Sequence, residues 1–396
     1  MNKKFLTITI LAVFFINFIP SGVYAKRLTK KQKLENTLIN TAQISFEDKQ
    51  YDTAVEYYTK ALIINPYNAE TYAQRGNALF LSGKYKQAVK DYSTSIELDP
   101  SRENTYYNRG IAKANLNAFE EVVEDYTKEI EINPDNANAY LNRGTTRVIL
   151  KQYDEAIEDF NKVIEIDSDN ELGYFNRGIA KRNNEDYAGA IEDYTKVLEI
   201  NDKSIESYNN RGVAKFYLKD FKGAVDDYTH VLNLNKNFKK AHYNRGIAYL
   251  GMKNYEEAVL DFTKEIEINP KNDSAYYQRA ITQGCLEHNS AALEDYAKAI
   301  ELNPDNADYY ADRGAFRSKI GADLDDALED MNKAIALDNQ DPEKYLTRAI
   351  INCKKSEFLP AIDDLNIVLQ LAPDNEHAKE LRTYAIKSLD EQGKNK

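Results

Sequence analysis

The chain has 396 residues, a formal charge of −12 and a sequence pI near 5.1. That acidic balance excludes a general nucleic-acid binder, which needs a basic face. Its length does not translate into several globular domains, because the chain repeats and stacked repeats escape the usual size limit by touching only their neighbours.

The first residues read as an export signal. Met1–Lys4 is short and basic, Phe5–Pro20 is apolar, and Val23 and Ala25 place small residues at the −3 and −1 positions of a cleavage site. Residues 1–25 are therefore expected to be a signal peptide, and the mature chain periplasmic or secreted. No cysteine stands at the junction to carry a lipoprotein anchor, and the apolar run is shorter than the ~20 residues of a membrane span. Lys26, Arg27, Lys30, Lys31 and Lys33 follow at once, and positive charge there resists translocation. An uncleaved anchor at residues 5–20 stays open as the alternative, and it would be the only membrane contact. Residues 26–34 read as a solvated basic linker.

From Glu35 to Asn375 the chain divides into ten units. An Arg-Gly pair recurs at Arg75, Arg109, Arg143, Arg177, Arg211, Arg245 and Arg313, with Arg279 and Arg348 followed by Ala. The spacing is 34 residues through Arg313 and 35 to Arg348. Within a unit, apolar residues fall at helical spacing on both sides of a break near positions 15 and 16, which predicts two helices of about 13–14 residues. Pro66, Pro100, Pro134, Pro270 and Pro304 are placed to end second helices. The first unit has Thr41 in place of Arg and reads as a cap. The pattern loosens from the eighth unit, with Ala280 for Gly, Asn289 for the turn aromatic and one inserted residue near Gly321–Asp326. Residues 376–396 are expected to form a capping helix, Glu376–Leu389, and a frayed tail.

Numbered from Glu103, the unit places Tyr106 at position 4, Gly110 at 8, Phe119 at 17, Val122 at 20, Tyr126 at 24 and Pro134 at 32. This spacing resembles the tetratricopeptide repeat, here in an Arg-Gly variant of exported bacterial type. The resemblance implies an all-α fold, a right-handed solenoid of stacked antiparallel helix pairs. First helices would line a concave wall that holds extended peptides or partner helices through positions 2, 5, 6, 9, 12 and 13.

Arg at position 7 departs from the Leu usual in that family. An Asp stands sixteen residues after each Arg, or seventeen across the insertion: Arg75 and Asp91, Arg109 and Asp125, Arg143 and Asp159, Arg177 and Asp193, Arg211 and Asp227, Arg245 and Asp261, Arg279 and Asp295, Arg313 and Asp330, Arg348 and Asp364. The first unit lacks both charges. Positions 7 and 23 lie at one height in an antiparallel hairpin, so an ion pair within each unit is favoured. Pairing each Asp with the next unit's Arg is the rival, and it would give Arg382 a partner. Either role is structural.

On the wall, position 6 carries Asn40, Asn108, Asn142, Asn176, Asn210 and Asn244, extended by Gln74 and Gln278. Amides both donate and accept, so this row is expected to grip a peptide backbone, in the manner of the asparagine ladder in the tetratricopeptide superhelix of the O-linked N-acetylglucosamine transferases. Solvation of the row is the competing reading. Position 5 adds Tyr107, Leu141, Phe175, Tyr243 and Tyr277 as aromatic and apolar anchors. Arg182, Lys240, Lys319 and Lys354 are too sparse for the family's carboxylate clamp.

No catalytic, metal or cofactor motif appears. His230, His242, His288 and His377 are scattered, and His242 is expected to pack in an aromatic slot. Cys285 and Cys353 sit two units apart, too far for a disulfide. Glu120, Glu121 and Glu124 read as a solvated convex face. The function expected is a non-enzymatic scaffold binding a protein or peptide along its groove. The alternatives are an exported effector acting on a host protein and, more remotely, a non-catalytic subunit of an envelope enzyme complex.

Overall fold

The structure, a computed structural model, describes residues 28–394. The signal segment at 1–25 lies outside the described residues. Those described form helices joined by short turns. Their order is α1 (Lys30–Glu47), α2 (Tyr51–Ile64), α3 (Ala69–Leu81), α4 (Tyr85–Leu98), α5 (Thr105–Ala114), α6 (Phe119–Ile132), α7 (Ala137–Ile149), α8 (Tyr153–Ile166), α9 (Glu171–Asn183), α10 (Tyr187–Ile200) and α11 (Ile205–Tyr217). There follow α12 (Phe221–Leu234), α13 (Ala241–Gly251), α14 (Tyr255–Ile268), α15 (Asp273–Cys285), α16 (Asn289–Leu302), α17 (Ala307–Ile320), α18 (Leu324–Leu337), α19 (Pro342–Lys354), α20 (Phe358–Leu371) and α21 (Glu376–Lys394). The chain divides into two bodies, one ending at Asn210 and one beginning at Arg211. Each is a succession of antiparallel helix pairs, with consecutive helices packed from α1 to α10 in the first and from α12 to α21 in the second.

Local chemistry explains the boundaries. Second helices end at position 30 whether or not proline follows, as at Ile166 and Ile200, where an extended Asp167 or Asn201 breaks the run. First helices open on asparagine: the side chains of Asn68, Asn136, Asn170 and Asn272 each accept the backbone N–H three residues on. Between the two helices, position 15 is left-handed in all ten units. It is glycine at Gly83 and Gly321 but Lys, Asn, Glu or Ser elsewhere, with φ near +60° as in Lys49 (62°) and Lys151 (62°). The next amide then reaches back five residues, Gln152 N to Arg147 O at 2.8 Å, closing the helix end. Left-handed backbone costs an L-residue roughly 1–2 kcal/mol. Lys151→Gly is therefore expected to stabilise the protein by about 0.5–1 kcal/mol after glycine's own entropy. A raised urea midpoint at unchanged slope would show it.

The core of a pair is a glycine facing a ring. A Cβ added at Gly110, Gly144 or Gly178 would lie 2.8 Å from the ring of Tyr126, Phe160 or Tyr194, all three fully buried. Alanines at position 20, such as Ala88, Ala156 and Ala258, are fully buried on the same seam.

Two ends differ from the sequence reading. The stretch 26–34 is not linker throughout, because α1 begins at Lys30. Thr29 and Gln32 cap it reciprocally, Thr29 N donating to Gln32 Oε1 at 2.9 Å and Gln32 N to Thr29 Oγ1 at 3.2 Å. The last helix continues past Leu389 to Lys394.

Candidate functional site

Each of the nine position-7 guanidiniums donates through Nε and Nη2 to the two oxygens of its own unit's Asp, at 2.6–3.2 Å. Arg177 with Asp193 (2.9 and 2.6 Å) and Arg279 with Asp295 (both 2.8 Å) are representative. The fork matches the carboxylate geometry, and all nine carboxylates are buried. Hydrogen bonding to Asp295 raises the Arg279 guanidinium further above its ordinary value. Burial pushes the Asp159 carboxyl up, opposed by Arg143 and Arg147. The ring three residues before the Arg is a shelf rather than core, with Arg177 5.4 Å from the centre of Tyr174. His242 occupies that slot in the seventh unit. Instead of packing as an aromatic it places Nδ1 2.9 Å from Asp261, and Arg245 lies over Tyr249.

Sequence reasoning missed what the third donor does. Nη1 reaches back to position 25 of the preceding unit where that residue is polar: Arg75 to Thr59 (3.1 Å), Arg177 to Asn161 (2.6 Å), Arg279 to Thr263 (2.9 Å), whereas Arg313 faces Ala297 there and makes no such bond. Arg382, without an Asp of its own, makes the same bond to Asn366 at 3.1 Å. One side chain thus joins both helices of its unit to the neighbour. A second cation at position 11 shares the carboxylate in five units, as Lys181 does with Asp193 at 3.0 Å.

Another missed group is Glu129, fully buried on α6. It accepts the backbone amides of Asn104 (3.0 Å) and Tyr107 (3.4 Å) and the Asn136 side chain (3.3 Å), serving α5 as a cap from outside. Burial raises its carboxyl pKa despite these donors. A raised folded value means the native state holds the proton longer than the unfolded chain. The contribution is therefore most favourable below the unfolded pKa and falls as pH rises through the folded one. Stability of the wild type relative to Glu129→Gln should decline over that window, as followed by urea unfolding at stepped pH. By contrast Glu120, Glu121 and Glu124 are exposed.

The side that faces inward is set by the first helices. Beyond consecutive neighbours, contacts join α3 to α5 and α7 to α9 in the first body, and α13 to α15 and α17 to α19 in the second. First helices are thus crowded together and line the inner wall. Its position-5 and position-6 residues divide into two groups. Tyr107 is 1%, Asn108 7% and Asn142 3% exposed. Asn142 Nδ2 donates to Tyr107 Oη at 3.0 Å and Asn108 Nδ2 to Asn77 Oδ1 at 3.2 Å. Tyr107 and Asn142 are therefore spent on each other, contrary to expectation, while Asn108 gives Nδ2 to Asn77 and keeps an unpartnered Oδ1. The Tyr107 hydroxyl thus meets position 6 of the next unit, and Tyr277 likewise donates to Asp312. Asn210 accepts from Arg182 at 2.9 Å. Asn176, which follows Leu141, is half-buried and its side chain makes no hydrogen bond within the protein; Asn244 is the same. Phe175, Tyr243 and Tyr277 are half-buried, leaning on Tyr194, Phe262 and Tyr296 at ring distances of 6.0, 5.8 and 6.1 Å. Leu172, 39% exposed, completes an apolar and amide face with Phe175 and Asn176 at helical i, i+3, i+4 spacing. Of the sparse cations, Lys354 is spent on Ser318 (2.7 Å to its carbonyl) and Arg182 on Asn210.

Stacked helix pairs with a crowded inner row define an α-helical repeat protein, whose working part is a surface. Sequence profiles described as tetratricopeptide repeat match residues 36–68, 57–90, 137–170, 173–204, 205–238, 240–272 and 273–306, and one described as TPR repeat matches 76–117. The chain belongs to the tetratricopeptide repeat family, whose arrays serve as protein-interaction scaffolds. No curated protein matches it. Among solved structures it is similar to YrrB, described as a TPR protein with an unusual peptide-binding site (26% identity, 46% of this chain and 94% of that one, TM-score 0.42). It is also similar to a tetratricopeptide repeat protein of Parabacteroides merdae (19% identity, 63% and 99%, TM-score 0.47) and to yeast Tom70 (19% identity, 91% and 90%, TM-score 0.42).

Proposed function

We propose that the chain is a non-enzymatic scaffold that binds an extended peptide or partner protein along the inner wall of first helices. The observation that carries this reading is the face formed by Leu172, Phe175 and Asn176. It presents an exposed leucine, a half-exposed ring and an amide with no internal partner, the mixture that anchors protein interfaces. Tyr243 and Asn244 repeat the ring and amide in the second body. The N-terminal sequence supports an exported address, with a membrane anchor at residues 5–20 as its alternative. Action on a host protein would use the same surface.

The test compares Leu172→Asp combined with Asn176→Ala against Lys162→Glu on the exposed side of α8. The wall variant should lose partner capture in a crosslinking pull-down by about tenfold. Both should unfold within ~0.5 kcal/mol of wild type, as surface changes do. Equal capture by all three proteins would refute the wall.

A further inference from the structure

The inner wall of the first body holds a cavity of about 60 Å3 between α1, α3 and the start of α5. Its lining includes Phe46, Tyr58, Glu70, Gln74, Asn104 and Asn108. Three of these residues carry a buried acceptor that receives no hydrogen bond from the protein: Gln74 Oε1, Asn104 Oδ1 and Asn108 Oδ1. Asn108 as a whole is only 7% exposed. Such atoms are costly to leave unmet.

Their orientations follow from their neighbours. Gln74 Nε2 donates to Glu70 at 2.7 Å, which turns Oε1 away as the free end. Asn108 Nδ2 donates to Asn77 Oδ1, which also accepts the Tyr92 hydroxyl at 2.7 Å, so reversing Asn108 would set oxygen against oxygen. Arg102 pairs with Glu70 and donates to none of the three amide oxygens. Glu103 adds a second carboxylate. Burial, with Glu70 and Glu47, raises the Tyr58 hydroxyl pKa, and the Arg102 guanidinium also lines the cavity, paired with Glu70.

We propose that this cavity seats the ammonium group of a lysine side chain carried by a protein partner. This rests on the wall being a protein-binding surface. An ammonium offers three donors and no acceptor, the complement of three unmet oxygens. The volume admits a compact head group, while the rings of Phe46 and Tyr58 provide faces for a cation and apolar surface for the methylene stem. The cavity lies at wall positions 2, 6, 9 and 12, along the course of a bound chain, which favours a tethered lysine over a free amine.

The test uses the full chain at pH 7 and calorimetric titration with a capped Gly-Gly-Lys-Gly-Gly peptide, its Nε-acetyl form and butylamine. The lysine peptide should bind, and acetylation should weaken binding at least tenfold, the usual consequence of losing charge-assisted bonds. Asn104→Gly should weaken it similarly without loss of fold, because Asn104 already sits at φ 62°, where glycine is at ease. Gln74→Met, which removes a second acceptor, carries the test should that variant not fold. Absence of lysine binding, indifference to acetylation, or full binding by both variants would overturn the assignment. So would butylamine binding as tightly as the peptide, which would make the ligand a free amine. Failure here with Leu172→Asp still impairing partner capture would remove the cavity's role and leave the wall's; failure of both would remove the wall.

Discussion

Arg279→Leu should destabilise the protein by about 3–5 kcal/mol, because it strands the buried Asp295 carboxylate, and adding Asp295→Leu should restore most of the loss. This unit is the cleanest place to look. Asp295 has no second cation, since Gln283 stands where other units carry Lys or Arg, and Thr263, deprived of Arg279, keeps its bond to the Val259 carbonyl at 2.7 Å. The same double change at Arg177 and Asp193 should recover less, for it leaves Lys181 without its carboxylate partner. Urea unfolding of the four variants reads all of this. Equal losses for Arg279→Leu alone and in the pair would mean the ion pair is not the source of the effect.

Tyr194→Ala should cost about 3–5 kcal/mol, the penalty of emptying a large buried site, whereas Tyr194→Phe should cost nothing or stabilise slightly. Tyr194 is fully buried against Gly178 and Phe175. Its hydroxyl, however, makes no hydrogen bond within the protein, and burying an unmet hydroxyl is unfavourable. The chain itself places Phe160 and Phe262 at the equivalent position. Thermal unfolding separates the two outcomes, and a Phe variant as damaged as the Ala variant would show that the hydroxyl has a partner.

Repetition made the architecture legible. A period of 34 and a break at positions 15 and 16 follow from spacing alone, and the joint absence of charge at Thr41 and Tyr57 tied position 7 to position 23. What escaped depended on facts that no period encodes. Lys151 or Glu185 gives no propensity signal for left-handed backbone; the geometry of closing the hairpin imposes it. The bond from Arg to position 25 needs the offset between neighbouring units, although the run of Thr, Ser and Asn there, from Thr59 to Asn366 and broken only by Ala297, was a signal available to be read. The amide row looked uniform in sequence and is not. Asn142 is consumed because Tyr107 precedes it by one unit and carries a hydroxyl, while Leu141 leaves Asn176 open.

The wall of first helices can be tested by site-specific photo-crosslinking. A crosslinking residue at position 176 on α9, compared with one at position 162 on the outer side of α8, reports which surface the partner touches. The account predicts covalent capture of a partner from position 176 and none from position 162. Capture from position 162 alone would place binding on the second helices and contradict it.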